Sequence, residues 1–321
     1  NLVKASPSEK GATTDIRLVE GIIDYLQNKG FENIIIMEGS WVGANTENAF
    51  EKCGYNHISK KYDIPLYNLQ KANYVFEDSE QMKIEIAEKA FAVDYLINLP
   101  VLKGHCQTKI TCALKNLKGC ISDNEKRRFH RKGLHKPIAL LNKVLDQDLV
   151  IVDGIYGDLD FEEGGNPVKM NRIIAGQDPV LIDSYAANLL GYSAKEIEYI
   201  KLASDFGVGS MDLENAEIIE INKDKAPKIE NNSMKIKKLA ENIEAKEACS
   251  ACYGSLIHSL KRIKEKGELG RIEEKIKIGQ GFKNNNINGL GIGNCCAGDN
   301  NYVKGCPPSA KNILDFLSEE I

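Results

Sequence analysis

Residues Ile138–Gly154 read IALLNKVLDQDLVIVDG, and this stretch decides the fold. Ile138–Leu145 places its apolar residues at helical spacing. Leu149–Val152 (LVIV) is a short, continuous apolar run that reads as a buried strand and stops at the turn Asp153-Gly154. A helix delivering the chain into a strand buried on both faces implies crossover connections, and hence an α/β fold with a mostly parallel, helix-covered sheet. Upstream, Asp94–Leu99 (DYLINL) reads as a strand halted by Pro100, and Asn33–Met37 (NIIIM) as another. Thr14–Lys29 reads as an amphipathic helix stopped by Gly30, and Asn45–Cys53 as a second helix. Downstream, Arg172–Ala175 and Glu217–Ile221 read as strands, Pro179–Leu190 and Glu196–Phe206 as helices. Ligands in such sheets sit beyond the carboxyl ends of the strands, so polar residues that follow strands are the ones to weigh.

The 321 residues are 42% hydrophobic and 27% charged with a net charge of −4, the profile of a globular protein without a global pull towards nucleic acid or membrane. No apolar run approaches the ~18 residues of a spanning helix, and no signal-peptide pattern is visible. Nine cysteines, unevenly spaced and odd in number, argue against a disulfide scaffold and for a cytoplasmic protein that uses thiols for metal or redox work. Composition shifts near Asn222. Asn222–Asn285 carries fifteen Lys/Arg against nine Asp/Glu, shows few strand signals and includes the loop-like Glu230-Asn231-Asn232-Ser233. The expected organisation is an α/β domain over 1–221 and a smaller cysteine module over 222–321.

Within that module, Cys249-Ser250-Ala251-Cys252 is a CxxC pair, followed after 42 residues by Cys295-Cys296 and then by Cys306-Pro307. A CxxC turn aims two thiolates at one centre, and a distant loop supplies two more. Zinc and iron–sulfur clusters both accept this set. The proline after the last cysteine, the glycine-rich flanks (Gly279, Gly281, Gly289, Gly291, Gly293, Gly298, Gly305) and the lack of a second tight CxxC favour a [4Fe–4S] cluster, with zinc as the alternative. Spacing leaves Cys295 and Cys296 both open. Cys295 is preferred because it directly ends the run GLGIGN, giving Cys249, Cys252, Cys295 and Cys306 as the expected ligands. Cys53, Cys106, Cys112 and Cys120 are excluded from the ligand set, and the last three are read mainly as packing residues.

Lys103–Lys136 holds ten Lys/Arg against only Asp123 and Glu125, together with His105, His130 and His135. Such a concentration of positive charge beside a strand end attracts a carboxylate or phosphate. Thr111–Leu117 reads as a helix whose N-terminus would add backbone donors. Lys103, His105 and Lys115 gather with Thr108, Lys109 and Asn116 in a glycine-punctuated loop. A solvated basic face is the plainer reading for any single lysine here. Phe129 is the sole aromatic in the segment, too little interleaving for nucleic-acid binding. Asp153, at its strand end, and Asp183, one turn into a helix, are candidates for acid/base or metal chemistry, or else for caps and turns. Gly164-Gly165-Asn166-Pro167 reads as a turn near the site, and no glycine pattern opens a helix after a strand as nicotinamide binding requires.

The runs Asn1-Leu2-Val3, Gly11-Ala12-Thr13-Thr14, Leu102-Lys103-Gly104-His105, Thr111 through Lys115-Asn116-Leu117-Lys118-Gly119, Val152-Asp153-Gly154 and Asp178-Pro179 with Asp183 resemble the family called domain of unknown function 362. The resemblance covers roughly residues 1–210. It implies Lys103, His105, Lys115, Asn116, Asp153 and Asp183 as site residues without assigning them roles, and an association with iron–sulfur modules.

Three functions are expected to compete. The first is an iron–sulfur oxidoreductase or electron-transfer protein acting on an anionic small molecule held by Lys103, His105 and Lys115, with a redox partner protein. The second is a non-redox enzyme in which Asp153, Asp183 and His105 bind a divalent metal and the cluster is structural. The third is a carrier that docks a partner through Asn222–Asn285. Anaerobically purified protein is expected to contain iron and acid-labile sulfide; elemental analysis returning zinc in their place would remove the redox branch.

Overall fold

The computed structural model describes residues 1–160, 162, 166–222, 238–285, 287–298 and 301–320. The chain divides into two compact units. The first comprises Asn1–Arg127 and Ile138–Asn231, the second Arg128–Pro137 and Asn232–Ile321. The stretch beside the expected boundary at 222, including Glu230–Ser233, lies outside the described residues, as do Gly164 and Gly165 of the expected turn.

The first unit opens with α1 (Ile16–Asn28), whose N-terminus is capped by the Asp15 carboxylate accepting from the Arg17 N–H at 2.9 Å. β1 (Ile36–Glu38) pairs in parallel with β2 (Leu66–Asn68), and α2 (Thr46–Lys52) and α3 (Tyr55–Tyr62) lie between them in the chain. Val19 and Ile23 of α1 join Phe50, Tyr55, Ile58 and Ile64 in one apolar cluster, each large side chain stabilising the unit by roughly 2 kcal/mol on burial. β3 (Tyr74–Asp78) and β4 (Lys83–Ala87) form an antiparallel pair.

The main sheet follows. β5 (Ile97–Asn98) and β6 (Val101–His105), separated by Pro100, are followed by β7 (Lys109–Thr111), α4 (Ala113–Asn116), α5 (Asp123–Lys132) and α6 (His135–Val144). Next come β8 (Leu149–Asp158) and β9 (Pro167–Gly176), then α7 (Pro179–Leu189) and α8 (Glu198–Asp205). β8 is the axis: β5 and β6 pair with it in parallel, β9 pairs with it antiparallel, and β7 is antiparallel to β6. The parallel core is as expected, with antiparallel strands beside it.

Glycine governs how β6 meets β8. Val101 pairs with Asp153 but Lys103 with Asp158, so β8 bulges between them. A Cβ on Gly104 would stand 2.2 Å from the Leu159 carbonyl oxygen, one on Gly157 2.2 Å from that of Leu102, and one on Gly11 2.2 Å from that of Gly157. These backbones touch only because three side chains are absent.

Several elements depart from expectation. Glu217–Ile221 is not a strand: no described segment pairs with it, and Ile219 and Ile221 stand 76% and 81% exposed. Apolar content without a neighbour to accept its backbone makes no sheet. The expected helix Thr111–Leu117 is the single turn α4, too short to present an N-terminal anion site. The strand expected over Asp94–Leu99 shrinks to β5, and the basic run after Pro100, expected as a loop, is β6.

The second unit contains a four-stranded parallel sheet, in order β10 (Ile243–Ala245), β11 (Ile276–Ile278), β12 (Leu290–Ile292) and β13 (Tyr302–Val303). Strands of two or three residues explain why their signal was faint in the sequence. α9 (Ser250–Glu265) packs against α10 (Ala310–Glu319), with the Ser259 hydroxyl donating to the Ala310 carbonyl at 2.7 Å.

Gly104→Ala is expected to cost about 2–3 kcal/mol or more, since the opposed atom is backbone. Gly21→Ala, on a face of α1 with nothing within 4 Å of its new methyl, is expected to stabilise by about 0.5–1 kcal/mol. Chemical denaturation of the two variants checks the contrast.

Candidate functional site

In the first unit, β6 carries Lys103 into the interior and ends at His105. The Lys103 ammonium donates to the Ala12 carbonyl and to Asn1 Oδ1, both at 2.9 Å. His105 turns back on its own loop, its Nδ1 accepting the N–H groups of Gln107 and Thr108 at 3.1 Å each. That assigns the ring proton to Nε2, which lies 3.5 Å from Glu162 Oε2. The same oxygen accepts from Lys115 Nζ at 2.9 Å. Lys115, His105 and Glu162 thus form one cluster, on which Lys103 acts electrostatically. Burial disfavours the Glu162 carboxylate, but Lys115, then His105, Lys103 and Lys118, overcome it and hold its pKa well below the usual range.

Lys115 sits on α4, and a chain of side-chain amides fixes that turn. Asn1 Nδ2 donates to Asn116 Oδ1, and Asn116 Nδ2 to Asn98 Oδ1 at 2.6 Å. Asn98 Nδ2 donates to the Ala113 carbonyl and to Gln147 Oε1. Gln147 Nε2 continues to Asn142, whose amide bonds the Leu114 carbonyl. From the other side, Asp183 accepts from the N–H groups of Ala113 (2.7 Å) and Leu114 (3.3 Å) and from the Tyr199 hydroxyl (3.1 Å). Burial raises its pKa to about 7 against these donors.

Asp183 therefore positions α4. Asp153 is likewise engaged by backbone, accepting from Asp15 N–H at 2.6 Å and Ile155 N–H at 2.9 Å, and burial raises its pKa. Among the described residues no three His, Cys, Asp or Glu side chains form a group that could hold a metal ion, so Asp153, Asp183 and His105 are not gathered as such a set. Thr108 is buried and donates to the Ile110 carbonyl, closing the β6–β7 turn. Lys109 reaches the Glu196 carbonyl at 2.8 Å and the Tyr192 ring. Asn116 belongs to the amide chain rather than to the lysine cluster. Sequence reasoning missed Glu162, whose one signal was its place just ahead of the Gly164–Pro167 turn, and missed the amide chain, which joins residues far apart in sequence.

In the second unit, Cys249 is the N-cap residue of α9 and Cys252 lies in its first turn. Cys295 and Cys296 occupy the tight turn after β12, and Cys306 follows Gly305. Asn294 ties these last two segments: its N–H donates to the Gly305 carbonyl and its Oδ1 accepts from the Gly305 N–H at 2.8 Å. Burial, then the charges of Cys295 and Cys306, raises the pKa of Cys249; burial, then Cys249, Cys306 and Cys295, raises that of Cys252 to about 11. Cys296 points elsewhere. It is fully buried with Phe282 and Ile287, its Sγ donating to the Lys277 carbonyl at 3.3 Å. Cys249 Sγ meets the Arg131 carbonyl at 3.2 Å and receives the Gln280 amide at 3.4 Å.

The molecule is thus an α/β protein with a lysine–glutamate cluster at the end of a sheet strand and a cysteine-bearing unit built on a short parallel sheet. The family described as "Domain of unknown function (DUF362)" matches residues 1–188, and the chain belongs to it. The match ends before Cys249 and the other cysteines of the second unit. The chain is similar to the "Thylakoid-associated protein sll1697" of Synechocystis sp. (strain ATCC 27184 / PCC 6803 / Kazusa), 24% identical over 201 residues. The aligned region is 59% of this chain and 61% of that protein, so the chain spans less than two thirds of its relative's length. No helix among the described residues is long and apolar enough to cross a membrane.

Burial lowers the pKa of Lys103 to about 8 from an ordinary 10.5. Between these values the unfolded chain binds a proton that the fold does not, so the contribution of Lys103 to stability rises with pH across that window and is lost as pH falls through 8. The stability of the wild type relative to Lys103→Met is expected to rise by on the order of 2 kcal/mol from about pH 7.5 to about pH 10. Paired denaturation curves measure it, and the difference between the two proteins cancels the titration of other groups.

Proposed function

We propose that this is a cytoplasmic iron–sulfur protein, an oxidoreductase or electron-transfer protein that acts on an anionic small molecule. Cys249, Cys252, Cys295 and Cys306 would hold a [4Fe–4S] cluster, while Lys103, His105 and Lys115 hold the anion. A redox partner protein would complete the cycle. The observation that carries the reading is the placement of four thiols on three chain segments. Cys249 and Cys252 open α9, a Cβ on Gly293 (two residues before Cys295) would stand 3.9 Å from Cys252 Sγ, and Asn294 ties that turn to Gly305 beside Cys306.

Four thiolates can hold either zinc or a four-iron cluster, and the proline after Cys306 together with the glycine-rich flanks is what favours the cluster in this reading. Glycines at 293 and 305 let the turns that carry Cys295 and Cys306 close on each other: a Cβ on Gly305 would stand 2.5 Å from Pro308 Cα, and one on Gly293 3.3 Å from the Gly305 carbonyl oxygen. When bound, such a cluster supplies one-electron transfer. The chain's own part is to hold it and to direct the Gln280 N–H at the Cys249 sulfur, a contact of the kind that tunes potential.

Dithionite reduction of anaerobic protein is expected to give a paramagnetic signal by electron paramagnetic resonance. Iron content is expected to collapse in Cys249→Ala, Cys252→Ala, Cys295→Ala and Cys306→Ala and to persist in Cys296→Ala. Iron retained in all four of the first group would sink the ligand assignment, and a cluster that resists reduction would remove electron transfer.

A further inference from the structure

Charge is divided unequally between the two units. The second holds eighteen Lys/Arg against eleven Asp/Glu, a net charge of +7, and the first twenty-four against thirty-five. The net charge of a unit bears on what it meets rather than on how it folds. Topology decides where the charge of the second unit lies. Its four strands are parallel, so their carboxyl ends share one end of the sheet. From that end the chain leaves β10 for Cys249, β12 for Cys295 and β13 for Cys306. Cys306 is exposed and Cys249, Cys252 and Cys295 are half-buried, so the thiol site opens to solvent there.

The same end is basic. Lys283 follows β11 and acts electrostatically on Cys249, and Lys304 stands two residues before Cys306. The Arg131 carbonyl meets Cys249 Sγ at 3.2 Å, and Lys132 is its neighbour in the chain. The side chains of Arg131, Lys132, Lys283 and Lys304 are all exposed. Among the described residues of these segments Glu247 is the one acid, while Glu244 on β10 is engaged by Lys246 at 3.1 Å and Lys277 at 3.9 Å. Acids of the unit gather elsewhere. Glu241, Glu273 and Glu274 precede β10 and β11, Glu265 ends α9, and Asp315 and Glu319 lie beyond the first turn of α10.

We infer that the basic, thiol-bearing end of the second unit docks an acidic one-electron carrier protein. This rests on the cluster reading above and names the chemistry of its redox partner. One electron passes between carrier and cluster, one being oxidised as the other is reduced, and no bond is made or broken. Encounters of this kind bury little surface, so the exposed charge around the site does the steering. The sign is specific. The chain's net charge of −4 would repel an acidic carrier, whereas the charge around the thiols attracts it.

The test is stopped-flow electron exchange between the intact, iron-loaded chain and an acidic plant-type ferredoxin, with basic cytochrome c as the opposite probe, across ionic strength. The rate with ferredoxin is expected to fall as salt rises, and the rate with cytochrome c is not. Lys132→Glu and Lys283→Glu combined are expected to slow ferredoxin about tenfold at low salt. Lys261→Glu, some three turns along α9 from the CxxC, is expected to leave the rate within about twofold at 0.1 M ionic strength, where its charge is screened over about 10 Å. Iron content establishes that each variant is loaded. If the double variant is not, Lys304→Glu carries the test with a several-fold loss. A ferredoxin rate that rises with salt, or that survives charge reversal, would overturn the docking surface and spare the cluster. Low-salt self-association by light scattering, abolished in the double variant, would assign the surface to a second copy and overturn the carrier. A chain without iron and acid-labile sulfide would bring down the cluster reading, and this proposal with it.

Discussion

The first unit depends on a steric allowance: the approach of three backbones that have no Cβ between them. Gly104 and Gly157 let β6 and β8 close over a bulge, and Gly11 brings the opening loop against the same place. The Ala12 carbonyl is then at hand for the Lys103 ammonium. Without that acceptor the lysine would be a buried charge with little to offset its lost hydration. A contact that excludes one methyl group thus determines whether a charged side chain can be internal at all.

The second condition is that α4 be held rigidly although it is a single turn. A free helix of four residues has no stability of its own, so its backbone groups must be satisfied from outside. Asp183 supplies the acceptor at one end, and the amides of Asn98 and Asn142 bond the carbonyls of Ala113 and Leu114. Lys115 inherits its direction from these bonds. The acids that look most chemical in the sequence therefore fix positions, and the acid that touches Lys115 and His105, Glu162, lies in an unremarked stretch.

That contrast shows what a sequence can and cannot disclose. Periodicity and apolar runs reveal α1, α7 and the strand LVIV because each is a local property of consecutive residues. The register of β6 on β8, and the convergence of Lys103, Lys115 and Glu162, depend on residues up to some sixty positions apart and leave no periodic trace. Run length misled in both directions. The isoleucines of Glu217–Ile221 look like a strand but no described segment pairs with them, while the two- and three-residue strands of the second unit were too short to register yet pair in a regular sheet. The cysteine spacing left Cys295 and Cys296 open. The structure separates them by direction, since Cys296 is committed to the Lys277 carbonyl and to an apolar cluster.

The membership of Arg128–Pro137 in the second unit bears on how this protein can be taken apart. The Arg131 carbonyl meets both Cys249 Sγ and Gln280 Nε2, and His130 Nδ1 bonds the Ser250 hydroxyl inside the CxxC. A fragment cut to begin after residue 222 would carry every cysteine of the second unit but neither Arg131 nor His130. The unit is not a detachable cassette: its boundary in space crosses the chain three times, so dissection by truncation would yield a piece with an open wound at the very turn that bears its first two thiols.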